Sequence, residues 1–160
     1  MGKVLKEFER GWAGQVSRSK DDVIISLRNA ANAPIPFGAP VFMKPGDAGV
    51  KLFNAAQHTG ENFVGFAVRI PDKTPDTYGS SLAEYPRCGT VDILVRGSVV
   101  VPVVTATRAA DKLYINKSDS TLTAVAGAEG TTVLLPNVCC RGTRDEQELA
   151  EVVITERNVL

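Results

Sequence analysis

Residues 90–104 read TVDILVRGSVVVPVV, and this stretch decides the fold. Nine of its fifteen residues are Val, Ile or Leu, side chains that pack well on a pleated, half-buried surface. It is the strongest strand signal in the chain. Gly97 inside it reads as a bend or bulge, and Pro102 ends pairing on one side because it has no N–H to donate. Upstream, residues 62–70 (NFVGFAVRI) alternate so that Val64, Phe66, Val68 and Ile70 make one fully apolar face. Residues 23–27 (VIISL) form a short β-rich run. Residues 35–43 (IPFGAPVFM) are apolar, but Pro36, Gly38 and Pro40 suit a strand start or a sheet edge. The turn KPGDAG at 44–49 leads to a further run at 50–53.

Downstream, residues 112–116 and 122–125 predict a hairpin around KSDST, followed by strands at 132–135 and 138–141. The last segment is ambiguous. Thr143-x-x-Glu146 matches a helix capping box, yet EVVITE at 151–156 is β-branched. The reading adopted is a strand over 150–155, with 142–148 as a loop or one helical turn. Residues 71–86 (PDKTPDTYGSSLAEYP) read as a long polar loop, a length often reserved for function. Short strands separated by Gly/Pro turns predict an all-β fold, a small jelly-roll-like barrel or sandwich with an extended N-terminal arm. The expected division is an arm over residues 1–20 and one β-rich core over 21–160.

At 160 residues the chain can bury a core without disulfides or metals. Eighteen basic residues balance eighteen acidic ones, which argues against a general nucleic-acid binder. The charge is uneven: residues 1–28 carry six cations against four anions, and residues 141–160 carry three against five. No apolar run approaches the ~20 residues of a membrane helix, and MGKVLKEFERG lacks the apolar centre of a signal peptide. Cys88, Cys139 and Cys140 give an odd count without CxxC spacing, so they read as reduced, packed thiols. The only Trp, Trp12, stands with Phe8 ahead of the sheet signals. Two aromatic rings bury a few hundred Å² when covered, so an arm carrying them is expected to be held by a neighbour.

The chain offers little to catalysis. Its only histidine, His58, lies in AAQHTGEN and reads as a solvated or hydrogen-bonding loop residue. GAEGTT at 127–132 lacks the lysine of a phosphate loop. Adjacent Asp21 and Asp22 point to opposite faces of an extended chain and do not share a cation. No cofactor, metal or catalytic residue is assigned. One alternative has a motif behind it: GTVDILVRG at 89–97 is similar to a substrate-site motif of trimeric deoxyuridine triphosphatases, with Asp92 at the water-positioning place. Val95 and Ser98 depart from that pattern, and the family's Gly-rich C-terminal arm is missing. The plainer reading of Asp92 is an outward residue between turn Gly89 and bulge Gly97.

Taken in order, FERGWAGQVSRSKDDVIISL, PIPFGAPV, NFVGFAVRIPDKTPDTYG, VDILVRGSVVVPV and LAEVVITERN resemble the capsid cement, or head decoration, proteins of tailed bacteriophages over essentially the whole chain. The resemblance implies a non-enzymatic virion protein, made in the bacterial host cytoplasm, on the outer surface of an icosahedral head. It implies binding across junctions between major capsid subunits and reinforcement of the shell. The expected partners are the major capsid protein and a second copy, as dimer or trimer, with no nucleic acid, membrane or small-molecule substrate. Phe8, Arg10, Trp12 and Arg18 on the arm, and Tyr78 and Tyr85 in the loop, are the expected partner-binding residues. A tail component or a carbohydrate-binding module is the other structural reading, although aromatics make up only 6% of the chain.

Overall fold

Alternating apolar runs become strands along the whole chain in the computed structural model, which describes residues 11–70 and 84–158. In chain order these are β1 (Val16–Arg28), β2 (Ile35–Pro36), β3 (Pro40–Phe42), β4 (Lys51–Leu52) and, after a 3-10 turn at Gly60–Asn62, β5 (Phe63–Ala67). Then follow β6 (Glu84–Tyr85), β7 (Thr90–Pro102), β8 (Lys112–Asn116), β9 (Leu122–Thr123), β10 (Thr132–Cys140) and β11 (Leu149–Ile154). Among the described residues there is no α-helix, and the fold is all-β as expected. The main sheet runs β4-β3-β5-β7-β11-β10-β8-β9 with β1 added on β7, and it curls into a jelly-roll-like half-barrel. A second, two-stranded sheet pairs β2 with β6.

β7 organises everything else. One of its edges pairs with β1 from Arg28↔Thr90 to Val16↔Val99. The other edge pairs first with β5, at Ile93 and Leu94, and then with β11 from Gly97 to Pro102. The changeover coincides with Gly97, at φ +119°. A Cβ there would stand 2.3 Å from Asp22 Oδ1 and 3.1 Å from Asp22 Cα, so only glycine fits this bulge. The bulge also reverses which residues face which side. Before it, Leu94 enters the larger core while Val91, Ile93 and Val95 enter a second one. After it, Val99 and Val101 enter the larger core. One strand thus serves two hydrophobic layers.

The larger core fills the barrel with Phe42, Phe63, Phe66, Leu113, Ile115, Leu135 and Ile154, among others. Phe63 and Phe66 meet edge-to-face at 5.3 Å, a favoured aromatic geometry. The second core holds Ile35, Phe37, Val41, Val64 and Tyr85 and is closed by β2, β6 and the inward residues Ile25 and Leu27 of β1.

Several elements depart from the sequence reading. β1 begins at Val16, not near residue 23, because β7 supplies partners for its polar first half. The boundary drawn at residue 20 therefore falls inside a strand. The apolar run 35–43 splits into β2 and β3, and the runs 132–135 and 138–141 join into one strand through Pro136 and Asn137, where φ is +60°. Part of the expected 71–86 loop is structured: Glu84–Tyr85 is strand β6, and residues 71–83 lie outside the described residues. The predicted hairpin forms with Ile115 opposite Leu122, and the C-terminal segment is a strand, with no helix at 142–148.

Candidate interaction surface

The chain enters the fold through Gly-Trp-Ala-Gly, residues 11–14, and two glycines decide how. Gly14 is buried at φ +78°, and a Cβ on it would lie 2.8 Å from Gly38 N and 2.9 Å from both Ala67 O and Arg69 N. Gly38 faces it, also at φ +78°, with a Cβ position 2.9 Å from Gly14 N. Backbone therefore touches backbone, and hydrogen bonds fasten the junction. Gly14 N–H donates to Val100 O at 2.8 Å, Val100 N–H to Gln15 O at 2.9 Å, and Arg69 N–H to Gly14 O at 2.8 Å.

This clamp holds Trp12 at the surface. Gln15 closes the turn, its N–H donating to Trp12 O at 3.0 Å while its Oε1 accepts from Trp12 N–H at 3.1 Å. Trp12 is 65% exposed, and the Arg69 guanidinium carbon lies 4.9 Å from its ring centroid. A cation over an exposed ring contributes about 0.5–1 kcal/mol. It steadies one face of the ring and leaves much of the side chain open. A large aromatic on a fixed backbone loses little freedom when a partner covers it, the property that makes Trp and Arg frequent anchors of interfaces.

Arg18 has a different role from Trp12. Its Nε donates to Glu151 Oε1 at 2.8 Å, and Ser17 Oγ donates to the same oxygen at 2.8 Å. Glu151 is buried on β11. Burial would raise its carboxyl, but the hydrogen bonds from Arg18 and Ser17, with the charges of Arg18 and Arg141, outweigh that and hold it below the usual carboxylate range. Arg18 thus ties the start of β1 to β11, with its side chain 63% exposed above the pair.

Tyr85 corrects the sequence reading. Expected as a contact, it is fully buried, packs edge-on against Phe37 at 5.2 Å and donates its hydroxyl to Val68 O at 2.6 Å. Glu84 on β6 pairs with Pro36, which directs the Tyr85 ring inward. Val68 and Tyr85 stand on either side of residues 71–83, so this bond holds the two flanks together. Phe8, Arg10 and Tyr78 lie outside the described residues.

The other singled-out residues are structural. His58 is buried, stacks on Phe42 at 5.4 Å, and accepts the Asn54 N–H on Nδ1 at 3.0 Å. It is therefore a packed residue rather than a solvated one. Asp92 accepts the Ser26 hydroxyl at 2.6 Å across the β1–β7 pair. Cys140 is buried, which pushes its thiol up to about 11, and Cys88 is exposed. Among the described residues no three His, Cys, Asp or Glu side chains gather as a metal site. Sequence reasoning missed Arg69 and Glu151, the residues that position Trp12 and Arg18. The paired glycines around Trp12 were the available signal.

The sequence matches the structural cement protein family (E217 gp24/Pam3 gp6) over residues 2–155. No curated protein sequence matches it. The fold is similar to a chain in the capsid of Myoviridae phage XM1, with a TM-score of 0.72, 17% identity and 96% of each chain covered. A chain of the head fiber gp8.5 N base of bacteriophage phi29 aligns at a TM-score of 0.43 and 11% identity, covering 86% of this chain and 99% of that one.

Proposed function

Because the chain belongs to the phage structural cement protein family, we propose that it binds the outer surface of an icosahedral head across junctions between major capsid subunits and stiffens the shell. The family itself makes the chain a virion structural protein with a non-enzymatic role. The finer reading assigns the contact to the arm of residues 1–20, with Phe8, Arg10 and Trp12 as anchors and Arg18 bracing the base of the arm. Tyr78 is a second contact, and Tyr85 serves from inside by holding the flanks of residues 71–83. The chain also associates with its own copies on the head.

The observation that carries this reading is Trp12, an exposed indole on a clamped turn. Covering it removes on the order of 100 Å² of apolar surface from water, roughly 2–3 kcal/mol at ~25 cal/mol per Å². Trp12→Ala is therefore expected to weaken binding to undecorated heads by about tenfold or more while leaving the melting temperature close to wild type. Co-sedimentation of the purified variant with heads checks this. Wild-type affinity in Trp12→Ala rules out the anchor.

A further inference from the structure

Arginines at the surface differ in what answers their charge. Arg18 is paired with Glu151 and Arg144 with Glu148, and among the described residues Lys51 is likewise paired with Asp47. Arg69 is in none of these pairs. What it meets is the Trp12 ring, 4.9 Å from its guanidinium carbon. The ring face attracts the cation, but an indole carries a donor and no acceptor, so it satisfies none of the five guanidinium N–H groups. Yet the root of this half-buried arginine is fixed. Its N–H donates to Gly14 O at 2.8 Å. The preceding Val68 is tied on both sides, its N–H donating to Asp92 O at 2.8 Å and its carbonyl accepting the Tyr85 hydroxyl at 2.6 Å. Trp12 is held from the other side of the same clamp, through Gln15 and the bond from Gly14 to Val100.

Two side chains on held backbone thus present one surface, an open ring with a cation on its face. A partner that covers the ring desolvates the guanidinium as well. Covering a charge with apolar surface alone is costly, so the partner must bring an acceptor. A carboxylate meets that need, because a guanidinium fork takes it through two parallel hydrogen bonds. We propose that Arg69 is a partner-binding residue, and that Trp12 and Arg69 form one anchor for a site on the capsid subunit where an aspartate or glutamate stands beside an apolar patch. The inference rests on the head-binding reading above and adds the chemistry of the partner. Arg18 does not supply the same function, since Glu151 already accepts from its Nε. The chain as a whole has zero net charge, so the attraction is local to this anchor.

The test is co-sedimentation of the purified full chain with undecorated heads at low and high salt. Arg69→Met keeps an unbranched stem against the ring and removes the charge. Its binding is expected to fall about tenfold or more at about 0.05 M salt, and by much less near 1 M, where the screening length shrinks to about 3 Å. The loss in Trp12→Ala is apolar in origin and persists at both. Wild-type binding by Arg69→Met at low salt overturns the proposal. So does a loss of equal size at both salts, the mark of a residue that only props the ring. Arg69→Gln takes the place of Arg69→Met if the latter loses its strand content by circular dichroism. Heads that bind no wild-type protein defeat the functional reading, and a titration without heads then decides. Poly-L-glutamate should change the fluorescence of Trp12, the only tryptophan of the chain, to saturation in wild type and leave Arg69→Met unchanged. No change in wild type, or the same change in both, overturns the proposal. Self-association lost in Arg69→Met while head binding is kept assigns the anchor to a second copy and overturns it too.

Discussion

Tyr85 shows at the scale of one residue how burial becomes a measurable titration. Burial, with the charge of Asp92 adding to it, pushes its hydroxyl up to about 12. A raised value means that the neutral form is favoured by folding. Its stabilisation is whole below the ordinary value of 10.0 and is lost as pH rises from there through about 12. Cys140, pushed up to about 11 from 9.0, adds a loss of the same sign that begins lower. Denaturant unfolding should therefore report a fall of roughly 2–3 kcal/mol from Tyr85 between pH 9.5 and pH 12. Tyr85→Phe should flatten that fall, at a cost of about 1 kcal/mol at neutral pH for the lost bond to Val68. An unchanged alkaline slope in Tyr85→Phe contradicts the assignment. This residue also marks a limit of sequence reading. Tyr85 and Tyr78 sit in one polar stretch, and nothing in PDKTPDTYGSSLAEYP says that the last turn of it becomes β6. The pairing partner, Ile35–Pro36, is fifty residues away.

At the scale of elements, β7 was legible from its own residues. Its apolar run fixed a strand, and Gly97 announced a bulge. The consequence of that bulge was not legible, because a change of facing is visible only once both cores exist. Gly97→Ala should force a side chain into Asp22 at a backbone conformation that costs about 1–3 kcal/mol, lowering the melting temperature by about 3–10 °C. A melt within 1 °C of wild type, by calorimetry, argues against a strained bulge. β1 was half legible: VIISL reads as a strand, while SRSKDD carries too much charge to do so. Arg18 finds its partner in the distant Glu151, and tertiary pairing overrides local propensity. The clamp at Gly14 and Gly38 was hidden for the same reason, since the two glycines are far apart in sequence.

At the scale of the whole molecule, the ordered series of segments identified the family, and composition identified only an all-β class. Balanced charge and the scarcity of chemistry-bearing residues left binding as the functional reading. The fold then sets the exposed Trp12 where the chain enters the barrel, with its turn held by backbone on β7 and its ring by Arg69 just past β5. The most direct measurement is the copy number of purified protein on intact heads lacking it, followed through a concentration series by co-sedimentation. Saturation at a fixed stoichiometry, with heads that then resist heat better than undecorated ones, is the predicted result. Heads that take up no protein at saturating concentration, or take it up without a plateau, contradict the account.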